Sequence, residues 1–213
     1  MKRILAVLMI AVMIFCLSAC GSEKTEIAEN TGGSAVGGWT MADSHDITDE
    51  QAAIFEKALE GLTGAKYEAV AYIASQLVSG TNHLFLVRVS PVIPDPVEKY
   101  ALARVYEDLS GNVRLEEVIE TDIETNINGS LGGWQIAEST EAPDDVKAVI
   151  SDSGLVPVAV SATQVVSGTN YCVFCQSDPS ASDLRDMFCV AYVYKDLNGN
   201  AEITDTVNFG INE

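Results

Sequence analysis

The chain writes one segment twice. "QLVSGTN" begins at Gln76, and "QVVSGTN" begins at Gln164, eighty-eight residues later; six of the seven letters agree. The agreement runs in both directions. "GGWTMADS" begins at Gly37 and "GGWQIAES" at Gly132, while "VYEDLSGN" begins at Val105 and "VYKDLNGN" at Val193. Gly80 stands 28 residues before Asp108, and Gly168 stands 28 before Asp196. Trp39 to Gln76 is 37 residues but Trp134 to Gln164 is 30, so the second copy is seven residues shorter in its first part. Two long copies describe a duplicated domain, because a solenoid stacks at least three shorter units.

Each copy carries one helical pattern and then four long strand patterns. In "DITDEQAAIFEKALEGL" the apolar residues Ile54, Phe55, Ala58, Leu59 and Leu62 fall on one helical face. Thr48, with Gln51 three residues on, has the spacing of a capping box. In the second copy Val146, Val149 and Ile150 share a face, with Pro143 at the start and Gly154 past the end. The strand patterns are "KYEAVAYIASQLVSG", "TNHLFLVRVS", "KYALARVYEDL" and "NVRLEEVIETDI", with counterparts downstream. Ser-Gly-Thr-Asn and Leu-Ser-Gly-Asn or Leu-Asn-Gly-Asn supply turns between them. "PVIPDPVE" and "SDPSASD" read as loops, and "GGWTMA" adds a short first strand. The expectation is an α+β fold: two tandem domains, each an antiparallel sheet of four to five strands packed on one helix. With 47% apolar residues, each copy holds enough for a small core.

The start of the chain has a different character. Lys2 and Arg3 precede the apolar run "ILAVLMIAVMIF", which is shorter than the ~20 residues of a membrane-spanning helix. "LSAC" follows, ending at Cys20. This resembles the lipobox of bacterial lipoproteins, which implies cleavage before Cys20, lipid on that residue and a location outside the cytoplasm, on the cell membrane. An ordinary secretory signal or an uncleaved anchor is the alternative. Residues 21–36, "GSEKTEIAENTGGSAV", read as a flexible tether. The expected parts are a leader at 1–19, a lipidated tether at 20–36, and domains at 37–125 and 126–213.

Charge excludes one class of partner. Losing Lys2 and Arg3 with the leader leaves ten basic against 31 acidic residues, a net charge near −21. Nucleic acid is excluded, since phosphate contacts need clustered Lys and Arg. The plain reading of the charge is a self-repelling, soluble surface.

A helix, a long strand ending in Gln-x-Val-x-Gly, and a second strand opening on Thr-Asn together resemble the cystatins and stefins. Both copies carry the pattern, at Gln76, Val78, Gly80 and at Gln164, Val166, Gly168, and a glycine pair precedes each helix. The resemblance covers residues 37 to about 213. It implies a reversible, wedge-like inhibitor of papain-like cysteine proteases, built from three segments. Carried over, the first wedge is Gly37, Gly38 and Trp39, then Gln76, Leu77, Val78, Ser79 and Gly80, then Leu109 and Gly111. The second is Gly132, Gly133 and Trp134, then Gln164, Val165, Val166, Ser167 and Gly168, then Leu197 and Gly199. The Pro-Trp pair of many cystatins is absent from the second hairpin, and Trp after the glycine pair is unusual for the family. The first copy, free on its tether, is the better candidate if only one binds. Gly, Thr and Asn also suit a hairpin for the turn alone. A non-inhibitory interaction or substrate-recognition module is therefore the alternative function.

Enzyme chemistry finds no support. His45 and His83 are the only histidines and lack metal-ligand spacing, so neither metal nor cofactor is expected. "DLNGN" at Asp196 has a calcium-loop flavour, but Ala201 stands where that loop needs glycine. Cys172, Cys175 and Cys189 all lie in the second copy, where the first has Leu84, Val87 and Ala101. If Arg88 and Arg104 mark the outer faces of the first copy's strands, Cys175 and Cys189 turn inward on neighbouring strands. They would then be close enough for a disulfide in an oxidising setting, the alternative being two buried small apolar side chains.

Overall fold

The computed structural model describes residues 37–120, 133–181 and 183–208. The leader, the tether with Cys20, and Gly132 lie outside the described residues. The first repeat runs β1 (Trp39–Met41), α1 (Asp49–Ala58), β2 (Ala65–Val78), β3 (Gly80–Pro91), β4 (Lys99–Asp108) and β5 (Val113–Glu120). The second runs β6 (Gln135–Ile136), α2 (Asp144–Asp152), β7 (Val156–Val166), β8 (Gly168–Gln176), α3 (Leu184–Met187), β9 (Phe188–Asp196) and β10 (Ala201–Asn208). Each repeat forms a five-stranded antiparallel sheet whose strands pair in chain order. Among the described residues no helix is long and apolar enough to cross a membrane.

Local chemistry sets the helices. Thr48 Oγ1 accepts from the Gln51 amide at 3.3 Å, and Gln51 Oε1 accepts from the Thr48 amide at 2.9 Å. This reciprocal cap fixes the start of α1. Its Phe55 and Ala58 pack into a cluster with Tyr72, Phe85, Val87, Ala101, Ala103 and Val105. Helix α2 starts on Pro143, with Asp144 and Asp145 in its first turn, and buries Val146 and Ile150. Ala142 and these two residues pack against Val160, Val173, Cys175, Cys189, Ala191 and Val193.

The α+β expectation is overturned. Among the described residues the protein is mostly β, with 53% strand against 14% helix, and the three helices there are short. The physical reason lies in the central strands, which are apolar on both faces. In "LFLV" and "ALA", Phe85, Val87, Ala101 and Ala103 face α1, whereas Leu84, Leu86 and Leu102 point the other way and are fully buried. A ten-residue helix, ~15 Å long, covers one face only. The other face is covered by the second sheet. Leu84, Leu86, Tyr100, Leu102 and Ile119 join Ala159, Cys172, Phe174, Phe188 and Val190 in one shared cluster. The layers are therefore helix, sheet, sheet, helix, with the largest apolar cluster between the sheets.

Arg88 and Arg104 lie on that inter-sheet face and do not mark an outer one. Both are half-buried at its margin and neutralised there. Arg88 pairs with Glu68 and, at 3.6 Å, with Glu98; Arg104 pairs with Glu117 at 3.0 Å and Glu116 at 3.7 Å. The repeats are closely equivalent. The Tyr72 amide donates to the His45 carbonyl at 3.0 Å, and the aligned Val160 amide donates to the Thr140 carbonyl at 2.7 Å. These two loops line a polar cavity of about 330 Å³ between the repeats, floored by Ala71 and Ala159. None of the wedge residues lines it.

Candidate protein-binding edges

Antiparallel pairing brings the three segments of the first wedge to one end of the sheet. Trp39 pairs with Gln76, Val78 with Gly80 across the hairpin, and Gly80 with Asp108. Gln76 ties two segments together. Its Nε2 donates to the Gly37 carbonyl at 2.7 Å, and its Oε1 accepts from Asn82 Nδ2, also at 2.7 Å. The Tyr106 hydroxyl donates to the Ser79 carbonyl at 2.9 Å, which holds the first hairpin against β4. The Arg114 guanidinium lies 4.3 Å over the Tyr106 ring.

The second hairpin is held by Asp108. Its carboxylate accepts from the Ser110 and Asn112 amides and from Asn112 Nδ2, at 2.8 to 2.9 Å. These bonds hold its pKa below the usual carboxylate range, the Asn112 side chain first among them. Lys57, at the end of α1, donates to the Gly111 carbonyl at 2.6 Å. Two clamped hairpins thus stand side by side, with apolar tips in solvent. Leu77 is 77% exposed, Val78 45% and Leu109 87%.

The second repeat builds a matching edge with the same tyrosine, asparagine and aspartate bonds, while its Lys195 pairs with Asp145 of α2. Gly168 pairs with Asp196, the Tyr194 hydroxyl donates to the Ser167 carbonyl at 3.0 Å, and Asn170 Nδ2 donates to Gln164 Oε1 at 2.7 Å. Asp196 accepts from the Asn198 and Asn200 amides and from Asn200 Nδ2, and Asn200 leads the set that pulls its pKa down to about 2. Val165 is 73% exposed, Val166 46% and Leu197 85%.

Not every wedge residue faces outward. Gly80 and Gly168 are buried, both at φ +149°. A Cβ on Gly80 would lie 2.3 Å from the Glu107 carbonyl oxygen, and one on Gly168 would lie 2.4 Å from that of Lys195. Both glycines serve the close approach of β3 to β4 and β8 to β9. Trp39 and Trp134 are half-buried against the shared cluster, and Trp134 meets the Tyr192 ring edge-on at 5.6 Å. Gly133 and Trp134 immediately precede β6.

Tyr106, Tyr194, Asp108 and Asp196 are the site-building residues that the sequence reading left out of the wedge. Their signal was available: Val-Tyr-x-Asp-Leu-x-Gly-Asn is kept in both copies. Cys175 and Cys189 are direct register partners on β8 and β9, fully buried and present as free thiols. The hydrogen bond to Cys189, reinforced by burial, pushes the Cys175 thiol upward. Among the described residues no His, Cys, Asp and Glu group could hold a metal ion. No family model matches the chain, and no curated protein matches its sequence.

Proposed function

We propose that the protein is a lipid-anchored, extracytoplasmic inhibitor of papain-like cysteine proteases that works as a reversible wedge. The supporting observation is that Leu77, Val78 and Leu109 stand exposed side by side on hairpins whose backbones are clamped by Tyr106, Asp108 and Lys57. A pre-paired edge of this kind loses little conformational entropy on entering a cleft. Bare apolar side chains at its tip supply surface to be buried there. The resemblance to cystatins and stefins in Gln-x-Val-x-Gly names the target class. Lipid on Cys20 would hold the wedge at the cell surface.

Titration of residues 21–213 against papain tests this reading. Reversible inhibition is expected, weakened by Leu77→Glu with Leu109→Glu. Absence of inhibition at high micromolar concentration sinks it. One observation favours a second reading, a protein-interaction module with a non-protease partner. The Gln76 amide is used within the fold and Gly80 is buried, so both motif residues have structural roles. In that case the tips bind while papain stays fully active.

A further inference from the structure

We infer that one chain holds two protease molecules at once, one on each edge; this rests on the inhibitor reading above. Duplication alone does not imply two sites, because duplicated domains can pack so that one copy covers the other's binding surface. Here the hairpin tips escape that, although Trp39 and Trp134 pack against the shared cluster. The repeats bury their sheet faces against each other through Leu84, Leu102, Phe174 and Phe188. Leu77, Leu109, Val165 and Leu197 keep their exposure with both repeats in place.

The seven residues lost from the second copy also leave its edge intact. Strand β7 has 11 residues where β2 has 14. Both strands end on the valine before the Ser-Gly turn, so the shortening falls at the far end from the tip. From Gly168 to Asp196 the register repeats that from Gly80 to Asp108 position for position. The tyrosine clamps measure 2.9 and 3.0 Å in the two copies, and the aspartate clamps to the Asn112 and Asn200 amides are both 2.9 Å. The tyrosine, asparagine and aspartate bonds that hold the first edge recur in the second, whereas the Lys57 bond to the Gly111 carbonyl belongs to the first.

The test is sedimentation velocity on residues 21–213 with excess papain. The expected species has one chain and two proteases. Leu77→Glu with Leu109→Glu, and separately Val165→Glu with Leu197→Glu, should each leave a complex with one protease. The altered edge should be weakened about tenfold or more. All four substitutions together should abolish binding. An unchanged thermal unfolding midpoint would show that these exposed changes leave the fold intact. A saturating complex with one protease, or unchanged stoichiometry in the Val165 and Leu197 variant, overturns the inference and leaves the inhibitor reading standing. No complex with the unaltered chain overturns the inhibitor reading itself.

Discussion

The Tyr100 hydroxyl donates to the Ser161 carbonyl oxygen at 2.6 Å, buried between the two sheets. Tyr100 belongs to the first repeat and Ser161 to the second, 61 residues on. Burial pushes the tyrosine pKa to about 12, so the donor keeps its proton across the working pH range. Tyr100→Phe should cost ~1 kcal/mol in urea unfolding, because the Ser161 carbonyl loses its shorter donor and keeps only the Ala137 amide at 3.2 Å. A loss below measurement error would show that the bond carries no net weight.

The shared cluster predicts cooperativity. Residues 37–120 expressed alone would expose Leu84, Leu86 and Leu102, which are fully buried in the intact chain. The fragment should bind a hydrophobic dye and lack a sharp thermal transition. The intact described region should unfold in one step. Two separate transitions in the intact protein would contradict a common core.

Glycine at the hairpin base should be hard to replace. Gly80→Ala and Gly168→Ala each combine positive φ with a backbone clash, and should cost ~2 kcal/mol or more. Gly111→Ala is a control, because its Cβ meets nothing within 4 Å and only φ +77° is unfavourable. A cost of ~1 kcal/mol is expected there. Equal costs at Gly80 and Gly111 would remove the argument for close approach.

His83 predicts acid sensitivity within the first repeat. Its Nδ1 lies 3.0 Å from the Tyr72 hydroxyl, and its Nε2 lies 3.5 Å from Glu107 Oε2. Burial lowers its pKa below 6.5, against the opposing pull of Glu107 and Glu50. The unfolded chain therefore takes up the proton first, and stability falls as pH drops below about 6.5 until the folded pKa is passed. His83→Gln should flatten the stability profile between pH 7 and 5. A profile unchanged by the substitution would assign the acid loss elsewhere.

Cys175 and Cys189 should behave as protected core thiols. Both are fully buried beneath α2, in the places of Val87 and Ala101. In native protein at pH 8 they should resist a thiol reagent, and react once the chain unfolds. Cys175→Val with Cys189→Ala should change stability by less than ~1.5 kcal/mol, since it installs the pair the first repeat already uses. An intact mass two hydrogens light, without reduction, would show instead that the pair is bridged.

The sequence by itself determined everything that depends on neighbours along the chain. The cap at Thr48 and Gln51, the amphipathic face at Phe55 and Ala58, and the turns at Ser79 and Ser167 are local bonds and local periods. Antiparallel meander pairing follows from such short turns. It brings Gly37, Gln76 and Leu109 to one end, so the outline of the candidate edge was legible too. The repeat doubled each signal and fixed the register between copies.

Tertiary structure decided what covers the second face of each sheet. "LFLV" and "ALA" announce burial on both sides, but no letter says whether a helix, a second sheet or another chain supplies the cover. Arg88 and Arg104 looked outward because arginine is usually solvated. They sit at an internal margin because Glu68, Glu116 and Glu117 on neighbouring strands, and Glu98 in the loop before β4, converge on them. Likewise, Gly80 became a buried contact only once β4 lay against it, at 2.3 Å from an absent Cβ. Contacts between residues distant in sequence depend on how whole sheets stack, and stacking fills volume in three dimensions rather than following a period along the chain.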